Sequence, residues 1–201
     1  RLDIARVDLC VVYRQQVGSG YNIIARQKIS TYSWGAQARL NTELAPGDSR
    51  PVIGMYRFEG GSNDLAVLWH NNSGIYYRTG ARSSNGGWTW SGGGETWKVE
   101  GALRPSTSNS FGSSTATFSC GFEFEGDIWL FKWGYPEENI SRGAALINNH
   151  DVTLGIDGSG RLHVVWIATD QSYSENADVV VHRSRAADGT LSPFYIIIDD
   201  F

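Results

Sequence analysis

The amino-acid sequence predicts an all-β protein built from several small sheets that repeat along the chain. The 201 residues include 24 glycines, 8 tryptophans and 9 tyrosines beside 5 prolines, a composition that favours strands joined by tight turns. Four apolar runs share one pattern, and three of them follow a polar turn. A chain of this length supports one core or one array of small units, so we predict a single domain over residues 1–201.

The four apolar runs are the strongest signal of a repeat. They cover residues 9–14, 65–70, 128–133 and 162–167. Each run is almost wholly apolar, which is typical of a strand that is covered on both faces in the middle of a stack of sheets. We therefore expect each run to be an inner strand of one repeat unit.

The segments around these runs predict the other strands of each unit. Three following strands place Arg26, Arg78 and Arg183 in one column. Strands are expected before three of the runs at residues 52–57, 115–123 and 152–156. Outer strands are expected at residues 34–40, 88–99 and 194–198. This order of strands and turns is that of a four-stranded blade of a β-propeller, so the sequence predicts a propeller-like array.

About four blades fit into the chain. Their predicted bounds are roughly residues 1–45, 50–100, 113–150 and 151–201. Four blades could close alone, close by forming a homo-oligomer, or be part of a larger ring, and the sequence leaves these alternatives open.

One hairpin carries a resemblance to a known family. The pattern Ser83-x-Asn85-x-Gly87-x-Thr89-Trp90 resembles the Asp-box of the sialidase-like (BNR repeat) β-propellers, with Asn85 where the family usually has Asp. The resemblance implies a hairpin between the third and fourth strands of a blade, with the tryptophan packed between blades. Because the box has a structural role in that family, it predicts fold rather than activity.

Charge and hydropathy limit the partners. The net charge of -4 and a pI near 5.5, with no run of Lys or Arg, argue against a nucleic acid or an anionic membrane as partner. No apolar run reaches the roughly 18 residues needed to span a bilayer, and no leader-like segment opens the sequence, so we expect no membrane insertion. Cys10 and Cys120 are expected to be buried thiols, with one disulfide bond as the alternative.

The sequence does not assign the catalytic residues of an enzyme. The sialidase resemblance would imply an arginine triad, an activated Tyr and an acidic Asp, yet no residues match those motif positions, so the catalytic residues are unassigned. Glu123, Glu125 and Asp127 alternate along the chain, which suits either a general acid/base pair or a solvated strand face. The four histidines lack metal-ligand spacing, and we predict no metal and no cofactor.

Aromatic residues near loops favour a carbohydrate ligand, because sugars stack on aromatic rings and exchange hydrogen bonds with polar neighbours. The predicted ligand-binding residues are Trp34, Trp88, Trp97, Trp133, Tyr135 and Arg78. The sequence therefore predicts a glycan-binding, lectin-like module outside the cell or on a cell or virion surface. The alternatives are a glycoside hydrolase or lyase of the sialidase-like type, represented by a fragment, and a protein-interaction module.

Overall fold

The computed structural model confirms an all-β protein. It describes residues 10–29, 33–57, 63–82, 87–91, 95–108, 119–132, 136–142, 146–171 and 177–198. Every regular element within these ranges is a β-strand, and the strands form four antiparallel sheets that follow one another along the chain.

The first two sheets come from the first half of the chain. Sheet 1 contains β1 (Cys10–Val17), β2 (Gly20–Lys28) and β3 (Trp34–Arg39) in that spatial order. Sheet 2 contains β4 (Val52–Arg57), β5 (Asn63–Asn71), β6 (Gly74–Arg82), β7 (Trp88–Trp90) and β8 (Glu95–Glu100). In sheet 2, both β7 and β8 pair with β6, so the single outer strand predicted over residues 88–99 is two strands.

The other two sheets repeat the same up-and-down order. Sheet 3 contains β9 (Leu103–Thr107), β10 (Ser119–Phe124), β11 (Asp127–Lys132) and β12 (Glu138–Asn139). Sheet 4 contains β13 (Leu146–Ile156), β14 (Leu162–Asp170), β15 (Ala177–Arg185) and β16 (Tyr195–Ile198). Apart from β8, which pairs with β6, each sheet pairs strands that are neighbours in sequence, which is the pattern that the apolar runs and turns predicted.

Sheet 3 differs in detail from the prediction. No strand was predicted at β9, yet β9 pairs with β10 and opens the sheet about ten residues before the predicted unit at 113. As a result, the apolar run at residues 128–133 supplies β11, the third strand of its sheet, whereas the runs at 65–70 and 162–167 lie in the second strands β5 and β14. Pro105 in β9 is tolerated because β9 is an edge strand within the described sheet.

Consecutive sheets pack face to face through three apolar clusters. Val67 and Trp69 of sheet 2 pack with Ile23 of sheet 1. Cys120 and Phe122 of sheet 3 pack against sheet 2, and sheets 3 and 4 enclose the largest cluster. In β5, Leu65 to His70 are all buried, which explains why this strand is apolar at successive positions rather than at alternate ones. In β14, buried and partly buried residues alternate over 162–167, so one face of this strand is only partly covered.

Arginine side chains join neighbouring sheets. The guanidinium of Arg183 on β15 donates to the Ile140 carbonyl of sheet 3 at 2.8 Å and lies over the Phe194 ring at 4.3 Å. Arg78 on β6 donates to the Arg39 carbonyl of sheet 1 at 3.3 Å. Two members of the predicted arginine column therefore link one sheet to the outer edge of the preceding sheet.

The hairpin that resembles the Asp-box is present as a strand pair. β6 and β7 run antiparallel, with Arg82 opposite Trp88 and Gly80 opposite Trp90. The Trp90 ring lies against Gly80, where an added Cβ would come within 2.9 Å of it, and packs on the cluster between sheets 1 and 2. The turn itself, including Asn85, lies outside the described residues.

Candidate functional site

Charged side chains from sheets 2, 3 and 4 meet where the first strands of these sheets lie side by side. β4 contacts β9, and β9 contacts β13. We call this group the charged cluster; its members are Asp48, Arg50, His70, Arg104, Glu123, His150 and Asp151. Asp48 and Arg50 precede β4, and the other members lie on β5, β9, β10 and β13.

Two irregular strands project side chains into the charged cluster. Arg104 on β9 has a φ of 46°, and the β9–β10 ladder changes register beside it. Asp151 on β13 has a φ of 52°, at a second change of register, between β13 and β14. Left-handed backbone is costly for residues other than glycine, and such bulges redirect side chains, often at functional sites.

Two buried side chains stabilise these strained positions. The Arg104 backbone N–H donates to His70 Nδ1 at 3.3 Å, and the Asp151 backbone N–H donates to Glu123 Oε1 at 2.7 Å. Glu123 also pairs with the Arg104 guanidinium at 3.3 Å. His70 and Glu123 therefore form the inner layer of the charged cluster, and they hold the two residues that reach outward.

The outer layer of the charged cluster faces solvent. Arg50 NH1 donates to Asp151 Oδ1 at 3.1 Å, and His150 Nδ1 lies 3.2 Å from Asp151 Oδ2. The exposed fractions of the side chains are 68% for Arg50, 35% for Asp151 and 32% for His150. Hydrogen-bond donors and acceptors are thus both available to a ligand at this surface.

The pKa shifts in the charged cluster follow from burial and pairing. Burial lowers the pKa of His70 below its ordinary value, and the hydrogen bond with Asp48 offsets part of that effect. Burial works to raise the pKa of Asp151, but the hydrogen bond with His150 and the charge of Arg50 outweigh it, so this pKa is lowered. His70 is accordingly favoured as a neutral ring and Asp151 as a carboxylate.

The arrangement suits recognition of a polar molecule. Guanidinium groups donate paired hydrogen bonds, carboxylates accept them, and an oriented imidazole does either. Within the described ranges, no group of three or more His, Cys, Asp or Glu side chains is placed to hold a metal ion.

The predicted ligand-binding residues lie elsewhere. Trp34 begins β3, with 37% of its surface exposed, and Trp88 begins β7, so both are on the last strands of their sheets. The indole N–H of Trp88 and Nε of Arg78 are buried without a hydrogen-bond partner in the described part of the chain. Trp97 is on β8, but the structure describes only its backbone. Trp133 and Tyr135 lie outside the described residues.

The predicted acidic set is divided among three environments. Glu123 is buried in the charged cluster, and Glu125 is in the exposed turn between β10 and β11 with a φ of 53°. Asp127 accepts hydrogen bonds from Asn139 and Ser141 at 2.7 and 2.9 Å. Only Glu123 belongs to the candidate site.

A second histidine group lies on sheet 4. His163 Nε2 is 3.1 Å from Asp157 Oδ2, and His163 Nδ1 is 3.0 Å from His182 Nε2. The two rings are inclined by only 15° with centroids 5.3 Å apart, which fits an in-plane N–H···N bond better than face-to-face stacking. This row points along the sheet rather than toward one shared ligand position.

Of the charged cluster, only Glu123 was among the candidate residues predicted from the sequence. The sequence signals for its other residues were weak. His70 is the polar residue at the end of an apolar run, and His150 and Asp151 end a short polar segment just before a predicted strand. Neither signal reveals that the two segments share a site, because the strand bulges that bring them together leave no local sequence pattern.

Fold and site define a class: an all-β array of four stacked sheets with a charged site at the shared edge of three of them. No protein-family model matches this sequence, and no curated protein matches it. In the part of the chain that the structure describes, no helix is long and apolar enough to cross a membrane.

Proposed function

We propose that this protein binds a glycan and that the charged cluster is the binding site. The observation that carries the proposal is the pair of strained residues, Arg104 and Asp151, each held by a buried side chain that accepts its backbone N–H. Strain of this kind persists only where the surroundings enforce it. A preorganised group of donors and acceptors suits the dense hydroxyl groups of a sugar.

The overall architecture supports the same proposal. We propose that the four sheets are blades of a propeller of the sialidase-like type, which closes as a homo-oligomer or within a larger ring. The arginine links between sheets and the position of Trp90 between sheets 1 and 2 support this interpretation. In such an array the charged cluster lies at the inner strands, and the proposed location is outside the cell or on a cell or virion surface.

An enzyme is the second candidate, and His150 favours it. Its imidazole is oriented by the Asp151 carboxylate beside Arg50, and a carboxylate-oriented imidazole is a common general base. A glycoside hydrolase or lyase would use this pair on the bound sugar. The glycan-binding proposal comes first because it needs only the contacts already made within the charged cluster.

A glycan array tests the proposal with three variants of the protein. Arg50→Ala removes the most exposed guanidinium of the charged cluster, Trp34→Ala removes an exposed aromatic of the sequence-predicted set, and Arg142→Ala changes an exposed arginine on sheet 3 as a matched control. We expect Arg50→Ala to lose array signal while Arg142→Ala keeps it. Loss with Trp34→Ala alone would move the site to the outer strands.

Turnover separates binding from catalysis. Array-positive glycans are incubated with the protein, and the products are analysed for cleavage or for new unsaturated sugar ends. Cleavage that His150→Ala abolishes would establish the enzyme candidate. An array without signal would favour the protein-interaction alternative.

A further inference from the structure

His70 is the most deeply buried member of the charged cluster, and its role goes beyond packing. It lies near the end of β5, next to the polar loop that follows the strand, with 1% of its side chain exposed. The charged groups that face it are Asp48 from the segment before β4, Arg104 from β9 and Glu123 from β10. A buried imidazole among charges from three elements can transmit a change of charge to each of them.

The hydrogen bonds of His70 determine where its proton lies. A backbone N–H can only donate, so the bond from Arg104 N–H requires an unprotonated His70 Nδ1. The neutral ring therefore carries its hydrogen on Nε2, which donates to Asp48 Oδ1 at 3.3 Å. One tautomer of one ring thus links the Asp48 segment to the strained Arg104.

We infer that His70 is a positioning residue of the charged cluster, which holds Arg104 toward the ligand when neutral and releases it when protonated. The inference rests on the proposed function for its ligand and on the hydrogen bonds above for its mechanism. Protonation places a hydrogen on Nδ1, so the ring loses its only acceptor and two donors face each other.

The consequence reaches the solvent-facing layer through Arg104. Without the His70 acceptor, the left-handed backbone of Arg104 has lost its stabilising bond, and the Arg104 guanidinium is no longer directed at Glu123. Burial lowers the pKa of His70, which is consistent with a ring that is neutral when the charged cluster is assembled. Ligand binding that needs the neutral ring falls about tenfold per pH unit once the pH is below that pKa.

The first test uses no ligand. In the 15N-labelled protein, NMR at about pH 7.5 should show the Nε2–H tautomer of His70 and a scalar coupling between its Nδ1 and the Arg104 amide nitrogen. On acidification, the coupling should vanish and the Arg104 amide resonance should move in step with the His70 ring. The inference would be overturned by an Nδ1–H tautomer or by a His70 ring that stays neutral until the protein unfolds. It would also be overturned if the Arg104 amide resonance did not change as His70 titrates.

The second test uses His70→Asn, because the Asn Oδ1 can accept the Arg104 N–H and does not titrate in this range. The control His182→Asn changes a histidine on sheet 4, outside the charged cluster. On glycan arrays probed at about pH 7.5 and about pH 5.5, wild type and control should lose about two- to tenfold of their signal on acidification, and His70→Asn should not.

The two proposals fail in different ways. If no glycan binds at either pH, the proposed function fails while the NMR titration still decides the role of His70. Equal acid loss in wild type and His70→Asn, or no acid loss in wild type, would overturn the role of His70 with glycan binding intact.

Discussion

Two polar groups meet at adjacent residues of β13, Asn149 and His150, and have opposite designs. The Asp127 network consists of Asp127, Asn139, Ser141, Asn149 and Trp166. Its Asp127 carboxylate accepts from Asn139, Ser141 and Asn149 at 2.7, 2.9 and 3.3 Å, and Asn149 Oδ1 accepts from the Trp166 indole at 2.8 Å. These hydrogen bonds join sheets 3 and 4. Because the buried donors of the network already have acceptors, it offers little to a ligand.

The charged cluster uses the neighbouring residues of β13 differently. Its ion pairs are longer, at 3.1 to 3.3 Å, and its outer side chains reach solvent, with Arg50 68% exposed. Ordinary surface pairs of this kind contribute little to stability. The difference shows how hydrogen bonding separates two roles. A network whose buried donors and acceptors are paired stabilises the fold, whereas the solvent-facing side chains of the charged cluster keep donors and acceptors for a ligand.

The largest expected effect comes from breaking the Asp127 network. Asp127→Ala leaves the Asn139 amide without its acceptor and removes the stronger acceptor of Ser141, which keeps Asn139 Oδ1, and one of the two acceptors of Asn149. We expect it to lower the free energy of unfolding by about 2 to 3 kcal/mol. Asp48→Ala, at the exposed rim of the charged cluster, is the matched control and should change it by less than about 1 kcal/mol. Urea unfolding measures both. Equal losses would contradict the division of roles.

A smaller loss is expected from the inner layer of the charged cluster. Glu123→Gln removes the charge that pairs with Arg104 but keeps an oxygen for the Asp151 N–H, so we expect a loss of about 1 to 2 kcal/mol in the free energy of unfolding. Glu125→Gln changes the exposed turn of the same hairpin and should have no measurable effect. Similar urea midpoints for the two variants would show that Glu123 does not support the strained strands.

Acid should destabilise the protein through the charged cluster, because His70 in it titrates. The folded protein lowers the pKa of His70, so the unfolded chain binds its proton more readily; this contribution to stability is complete above about pH 6.5 and is lost as the pH falls below it. Asp151, whose pKa is also lowered, adds a loss only at more acidic pH. Thermal unfolding of wild type across this range should show the decline.

Variants separate the sources of the acid decline. His70→Asn should flatten the decline at about pH 6, near the ordinary range of histidine. His182 contributes in the same direction, because burial and His163 lower its pKa, and His182→Asn measures that share. A decline of unchanged size in His70→Asn would exclude His70 as its source.

The strand pattern of the fold was largely predictable from the sequence. The runs at 65–70 and 162–167 lie in β5 and β14 as expected. The prediction that both strand faces are covered is confirmed for β5, where Leu65 to His70 are all buried, but it is wrong for β14, where buried and partly buried residues alternate over 162–167. β9 escaped prediction because Leu103–Thr107 contains Arg104, Pro105 and polar residues, a pattern that reads as a loop. Its pairing with β10 is a tertiary outcome that short-range sequence does not encode.

The candidate site was hardly predictable. Arg50 and Asp151 form an ion pair across 101 positions of sequence, and Arg104 and Asp151 face their partners only because the strands bulge there. The aromatic residues that suggested a glycan site, such as Trp34, are at the opposite strands of their sheets. Composition thus indicated a ligand class, whereas the position of the charged cluster depends on how three sheets stack.

The smallest expected effect is the sharpest test of the comparison, because it asks whether the outer layer of the charged cluster stabilises the fold at all. Arg50 is 68% exposed and pairs only with Asp151 among the described contacts, so Arg50→Ala should change the free energy of unfolding by less than about 0.5 kcal/mol. Arg142→Ala, an exposed arginine beside the Asp127 network, should do the same. Urea unfolding of the two variants side by side makes the measurement.

If Arg50→Ala alone cost more than about 1 kcal/mol, the ion pair would be a structural link between sheets 2 and 4. A negligible cost together with lost array signal would mean that Arg50 is held at this edge for a ligand.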